Sequence, residues 1–200
     1  MELNYQIDGP DDAPVVVLSN SLGTTLAMWA PQLAALSAQY RVLRYDTHGH
    51  GGTNNVGPTD LARLGQDVIA LLDHLDIPAA HFCGISMGGL TGLWLACHQP
   101  QRLLSVTVIN SAARIGDEAS WRARAQSVRQ NGLREIAASA PERWFSPAFR
   151  QSAPQTVATL CEQLAASSAE GYAACCDALA TADLREQIRG ITRPTLLIAG

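Results

Sequence analysis

The chain has 200 residues, of which 47% are hydrophobic and 16% charged, with a formal net charge of −4. That length suits one globular domain with an insertion, and the composition excludes a disordered chain. The charge offers no electrostatic footprint for nucleic acid, and no apolar run reaches the roughly 20 residues that a membrane-spanning helix needs.

The first residues, MELNYQIDGPDDAP, lack a basic stretch followed by an apolar run, which argues against a secretory leader and for the cytoplasm. Leu3 to Ile7 alternates as an edge strand does. Five further runs are apolar on both faces: Pro14 to Ser19, Arg41 to Asp46, Ala80 to Ile85, Leu103 to Asn110 and Pro194 to Gly200. Parallel strands covered by helices have this character. Helical spacing predicts helices over Met28 to Ala38, over Asp60 to Leu75 with Asp60 as its cap, and directly after Ser86. The repeating order of strand and helix predicts an α/β fold with a doubly wound, mostly parallel sheet.

From about Ile115 to Arg189 the pattern becomes helical throughout, punctuated by Pro141, Pro147 and Pro154. An all-helical insert between two strands reads as a cap over one end of the sheet. The expected division is a core over 1–112, a helical cap over 113–190 and a returning core strand over 191–200. The five cysteines, Cys83, Cys97, Cys161, Cys175 and Cys176, are odd in number and scattered, so no disulfide framework is expected. Cys175 and Cys176 read as small residues for helix packing.

The run HFCGISMGGL, His81 to Leu90, carries the chemistry. A strand that turns at once into a helix can place one residue on a strained corner, provided glycines on either side let the backbones approach. Ser86 holds that corner, next to the unpaired N–H groups of the following helix. It is the candidate nucleophile. Cys83 is a rival on paper but falls within the strand. An oxyanion needs two backbone donors. The N–H of Met87, the residue after the nucleophile, is one. The loop SNSLGTT after the second strand offers the other, most simply at Leu22, with Asn20 and Ser21 orienting the loop through side-chain hydrogen bonds. Tyr45 to Thr53, YDTHGHGGT, reads as a glycine-rich turn bordering the site, although His48 and His50 also invite a metal reading. No CxxC or HExxH motif supports a metal, and acyl transfer needs none; neither metal nor organic cofactor is expected.

With these motifs in this order the chain resembles the α/β-hydrolases, and within them the 3-oxoadipate enol-lactonases. The resemblance rests on LSNSLGTTLAMWAPQ, RYDTHGHGGT, GISMGGLTGLWLA and RWFSPAFR, and covers essentially the whole sequence. It implies a serine hydrolase that opens an enol-lactone to 3-oxoadipate in the β-ketoadipate route of aromatic breakdown. It also implies a small-molecule lactone or ester as the partner, with no nucleic acid and no membrane. A lactone of this class carries a carboxylate, so a cation in the cap is implied. Arg134 and Arg143 are the candidates, with Trp144 as a wall over the ring.

The family order is serine, then acid, then histidine. Neither acid nor histidine is found at the corresponding places here: the position after Leu103 to Ile109 reads Asn110-Ser111, and His48 and His50 precede Ser86. The 200 residues are therefore expected to be part of a longer protein that supplies both. A carboxylesterase or a carbon–carbon bond hydrolase using the same serine remains an alternative. So does a binding protein of this fold without chemistry.

Overall fold

Alternation along the strands splits the core into two layers. The computed structural model describes residues 3–54 and 57–200. Among them, β1 (Tyr5–Asp8), β2 (Val15–Ser19), β3 (Arg41–Tyr45), β4 (Ala80–Ile85), β5 (Leu103–Ile109) and β6 (Thr195–Ile198) form one sheet in the order β1-β3-β2-β4-β5-β6. Every neighbouring pair is parallel except β1 with β3, where Tyr5 stands opposite Tyr45. Val17, Leu43, Phe82 and Val106 share one face; Val16, Leu18 and Val42 share the other.

Both faces are covered by helices, as the expected doubly wound sheet requires. Trp29, Leu33 and Leu36 pack on the second face, the latter two from α1 (Ala30–Leu36). The first face receives α2 (Leu61–His74) and α3 (Met87–His98). Leu64, Val68, Leu71 and Leu72 form the apolar stripe of α2, and the Asp60 side chain caps it by accepting from the Arg63 N–H at 2.7 Å. The expected helix over 28–38 is divided. A 3₁₀ turn spans Leu26–Trp29 and α1 follows. Pro31 has no N–H to give the Ala27 carbonyl, so an α-helix cannot run continuously through this point. The Ala30 N–H takes that carbonyl instead.

The chain places β3 beside β2 on one side and then crosses to place β4 on the other. Strand order reverses between β2 and β4, and the crevice at the carboxyl ends of two such strands is where open α/β sheets bind ligands. The segments leaving β2 and β4 are the SNSLGTT loop and the Ser86 corner.

Five helices lie between β5 and β6: α4 (Glu118–Asn131), α5 (Arg134–Trp144), α6 (Pro147–Ser152), α7 (Pro154–Ala165) and α8 (Ala169–Thr181). Pro147 and Pro154 open α6 and α7 as expected. Pro141 does not break its helix. It sits inside α5, which forgoes one hydrogen bond and continues a further turn to Trp144. Arg129 of α4 joins Glu170 and Asp177 of α8 at 2.8 and 2.9 Å.

This helical layer rests on the loops that follow β2 and β3. A Cβ on Gly171 would lie 2.3 Å from the Gly49 carbonyl oxygen, and one on Gly23 would lie 2.7 Å from Leu164 Cδ1. Cys175 and Cys176 are fully buried in α8, with Cys175 Sγ 3.6 Å from the His48 carbonyl. All five cysteines are free thiols. Among the described residues no helix is long and apolar enough to cross a membrane.

Helices α2 and α3 pack closely at Gly65. A Cβ on Gly65 would stand 2.0 Å from Trp94 Cε3. Overpacking of this kind costs about 1–3 kcal/mol. Gly65→Ala is expected to lower the thermal midpoint by several degrees, measured by calorimetry, even though alanine favours helix.

Candidate active site

The end of β4 supplies a residue in a conformation that its neighbours must enforce. Ser86 has φ 54° and ψ −117°, a region that side chains other than glycine's rarely enter. Its N–H donates to the Ile109 carbonyl at 2.9 Å, and its own carbonyl accepts from Leu90 N–H at 3.0 Å and Ser111 Oγ at 2.7 Å. Glycines make the crossing possible. A Cβ on Gly84 would meet the Gly88 carbonyl oxygen at 2.2 Å, and a Cβ on Gly88 would meet the Ser19 carbonyl oxygen at 2.4 Å. The Ser86 side chain caps no amide of α3 and is only half-buried. Its hydroxyl makes no hydrogen bond among the described residues.

The loop after β2 is held from several sides. The Asn20 carbonyl accepts from Gly88 N–H at 3.0 Å. The Asn20 side chain bridges the Tyr45 carbonyl at 2.8 Å and the Trp29 indole N–H at 2.9 Å. The Ser21 side chain, expected to do the same, makes no hydrogen bond among the described residues; only its carbonyl takes part, accepting from the Thr24 hydroxyl at 2.8 Å. The Gly23 N–H donates to His50 Nε2 at 2.9 Å, and the Leu26 N–H to Asp46 Oδ1 at 2.7 Å. Asp46 also accepts from Asn4 and Gly52, so the turn after β3 and the loop after β2 share one buried carboxylate. Within this frame the N–H of Leu22, like that of Met87 at the start of α3, donates to no group among the described residues.

The histidines are engaged elsewhere. His50 uses both ring nitrogens, on Gly23 and on the His48 carbonyl at 2.8 Å; His48 Nε2 lies 2.7 Å from the Gly57 carbonyl. His81 pairs with Ser105, His98 lies on Trp94, and His74 is exposed against Tyr5. Among the described residues no cluster of three or more His, Cys, Asp or Glu could hold a metal.

In the cap, Trp144 is half-buried and meets Phe145 edge to face at 6.3 Å. Arg134 is exposed at the start of α5, and Arg143 reaches back toward the Ile136 carbonyl at 3.4 Å. A further cation was not foreseen. Arg122 and Arg129 of α4 have acidic partners, whereas Arg124 has none among the described residues and lies 5.0 Å above the Trp121 ring. Burial pushes the Tyr172 hydroxyl up, and the charges of Arg124 and Arg143 pull it back. Tyr172 touches the Gly23 loop: a Cβ there would be 3.0 Å from its ring. Tyr172 thus lies within the influence of both charges and packs against the loop after β2. A cavity of about 540 Å³, lined by Thr25, Gly49, Thr53, Gln163 and Ser167, lies along the same loop but does not include Ser86.

Fold and corner together are those of a hydrolase, and comparison with known proteins agrees. The alpha/beta hydrolase fold family matches residues 14–200, and the chain belongs to that family. It is 55% identical over 199 residues to 3-oxoadipate enol-lactonase 2 of Acinetobacter baylyi and 52% identical over 198 residues to 3-oxoadipate enol-lactonase 1 of the same organism. Each alignment covers 99% of this chain and 74% of the relative. The crystal structure of the enol-lactonase from Burkholderia xenovorans LB400 superposes with a TM-score of 0.96 at 46% identity, over 99% of this chain and 77% of that one. A hydrolase from Pseudomonas aeruginosa superposes with a TM-score of 0.95 at 45% identity, over 99% and 76%.

Cys83 lies three residues before the corner, within β4, and burial pushes its thiol up to about 11. At pH 8 only about one part in a thousand would be thiolate. Cys83 is expected to react with iodoacetamide far more slowly than a free thiol, followed by mass spectrometry, and Cys83→Ala is expected to keep hydrolytic activity.

Proposed function

We propose that this protein is a serine hydrolase that opens 3-oxoadipate enol-lactone to 3-oxoadipate, a step of the β-ketoadipate route. The observation that carries this reading is Ser86 at φ 54°, with the Leu22 and Met87 N–H groups lacking an acceptor among the described residues. The likeness to two enol-lactonases at more than half identity supports the substrate class.

In this reading Ser86 Oγ attacks the ring carbonyl while the Leu22 and Met87 N–H groups stabilise the oxyanion. The carbonyl carbon–oxygen bond of the ring breaks, and the enol oxygen leaves and becomes the ketone by tautomerisation. Water then releases the acyl group from Ser86. The proton passes through a histidine base oriented by an acid, and both are assigned to residues outside these 200. Support comes from the five histidines, none of which bonds Ser86 among the described residues, and from the greater length of the lactonases, of which the chain spans 74%. No cofactor enters the scheme. The substrate carboxylate is assigned to the cap cations Arg143 and Arg134 together with Arg124, with Trp144 beside them.

Loss of enol-lactone absorbance, measured on the natural protein, tests the reading. Ser86→Ala is expected to reduce kcat about 10⁴-fold or more while leaving the thermal midpoint within a few degrees. Retained turnover would remove Ser86 from the mechanism. Fast cleavage of simple aryl esters without lactone turnover would favour a carboxylesterase instead.

The cations separate by substrate. A charge-assisted hydrogen bond contributes about 1.5–3 kcal/mol. Arg124→Ala is accordingly expected to raise KM for the lactone about ten- to a hundredfold and to leave KM for a neutral aryl ester unchanged. Arg143→Ala and Arg134→Ala are expected to act in the same direction, more weakly because both residues are exposed.

A further inference from the structure

The proposed mechanism gives His50 no part, yet its ring is 1% exposed and fully engaged. One partner, the His48 carbonyl at 2.8 Å, can only accept; the other, the Gly23 N–H at 2.9 Å, can only donate. The proton therefore sits on Nδ1, and Nε2 is a lone-pair acceptor. Gly23 adjoins Leu22, the second oxyanion donor of the proposed reaction. Leu164 and Tyr172 pack closely on Gly23, with Leu164 Cδ1 and Tyr172 Cε2 2.7 and 3.0 Å from where a Cβ would be.

We propose that His50 is a positioning residue: its neutral ring, protonated on Nδ1, holds the Gly23 amide and so aims the Leu22 N–H at the substrate's acyl oxygen. This rests on the serine-hydrolase reading above. Protonating Nε2 would set two N–H groups against each other and release the loop. Burial lowers the pKa of His50, and His48 adds to that; the hydrogen bond to the His48 carbonyl and the Asp46 carboxylate act the other way. From the cap, the Tyr172 ring faces His50 with centroids 6.5 Å apart, and Cys175 lies on the His48 carbonyl. The held form is the poorer base, so releasing the loop favours uptake of a proton, and the window for this lies below the ordinary imidazole range. The held loop is thus fully favoured above that range and loses ground as pH falls below it.

Two variants separate positioning from packing. His50→Gln keeps an acceptor near the Nε2 position; His50→Phe keeps the ring and removes the acceptor. One oxyanion donor is worth about 10²–10³ in kcat. His50→Phe is expected to lower kcat for p-nitrophenyl acetate about ten- to a hundredfold with KM within about twofold. His50→Gln is expected to recover most of that loss, although both variants lose thermal stability to a similar extent. Unchanged kcat in His50→Phe, or equal kcat losses in two folded variants, would overturn the proposal. Nitrogen-15 spectra of the wild-type ring supply a readout apart from activity. A neutral Nδ1–H ring at pH 7 is expected, and an Nε2–H tautomer or an imidazolium would also overturn the proposal. The aryl ester keeps the two readings apart. A wild type that cleaves it but not the lactone defeats the substrate assignment and leaves the His50 comparison decisive. A wild type that cleaves neither, and whose Ser86 does not react with a fluorophosphonate, defeats both.

Discussion

A serine held at φ 54° and ψ −117° costs on the order of 1–3 kcal/mol, and it persists only where the surroundings over-determine it. Here the surroundings are almost entirely backbone. Ser86 is fixed through its own N–H and carbonyl, to Ile109, Leu90 and Ser111, and the crossing chains meet at Gly84 and Gly88. No large side chain is needed to hold the corner, so none obstructs it. The buried helix α3 supplies the anchor: residues 87–96 are all out of solvent, and a helix buried on every side cannot shift to relieve strain at its first residue.

The same economy governs the neighbouring loop. A buried polar group costs free energy unless it is hydrogen-bonded, and most of the buried polar side chains lie between Ser19 and Thr53. Asp46 and His50 spend most of their bonding capacity on backbone groups of that loop and of the turn after β3, and Asn20 bridges the Tyr45 carbonyl and the Trp29 indole. Apolar packing would tolerate small displacements of such a loop; directional bonds at Asn20, Gly23 and Leu26 do not. The helical layer then closes on the result through Gly23 and Gly171, where the lack of a side chain lets the cap approach the loops. Strained corner, bonded loop and close-packed cap form one mechanical unit at the carboxyl edge of β2 and β4.

Much of this unit was legible in the sequence. Strands apolar on both faces could be buried only between helices, and glycines two before and two after a serine had few uses except a sharp corner. The stretch from 115 to 189 announced helices because it lacked any alternating run. Four features were hidden for identifiable reasons. Pro141 reads as a breaker, but one missing hydrogen bond did not end α5. His50 shows no periodicity, and its bond to Gly23 joins positions 27 residues apart. Arg124 is one of three arginines on α4, and only the fold reveals that its neighbours Arg122 and Arg129 have acidic partners. Ser111 belongs with these, since nothing local says that its hydroxyl will reach the Ser86 carbonyl.

In the proposed reaction the two parts of the chain contribute different kinds of chemistry. The core offers amides, from Leu22 and Met87, whose presence does not depend on which side chains those residues carry. In that scheme any sequence that preserves the corner and the loop would keep the two amides, while acyl transfer itself still depends on the Ser86 hydroxyl and its base. The cap offers side chains, among them Arg124, Arg143 and Trp144, whose identity is free to change without disturbing the corner beneath. Selection among substrates would in that scheme fall to the cap, through a narrow contact. Tyr172 lies against the Gly23 loop on one side and feels the Arg124 and Arg143 charges on the other. A substrate carboxylate drawn to those cations would bear, through Tyr172, on the loop that carries the Leu22 amide. Binding at the cap and stabilisation of the oxyanion would then share a single side chain, which ties recognition of the acid group to the placement of the reacting carbonyl.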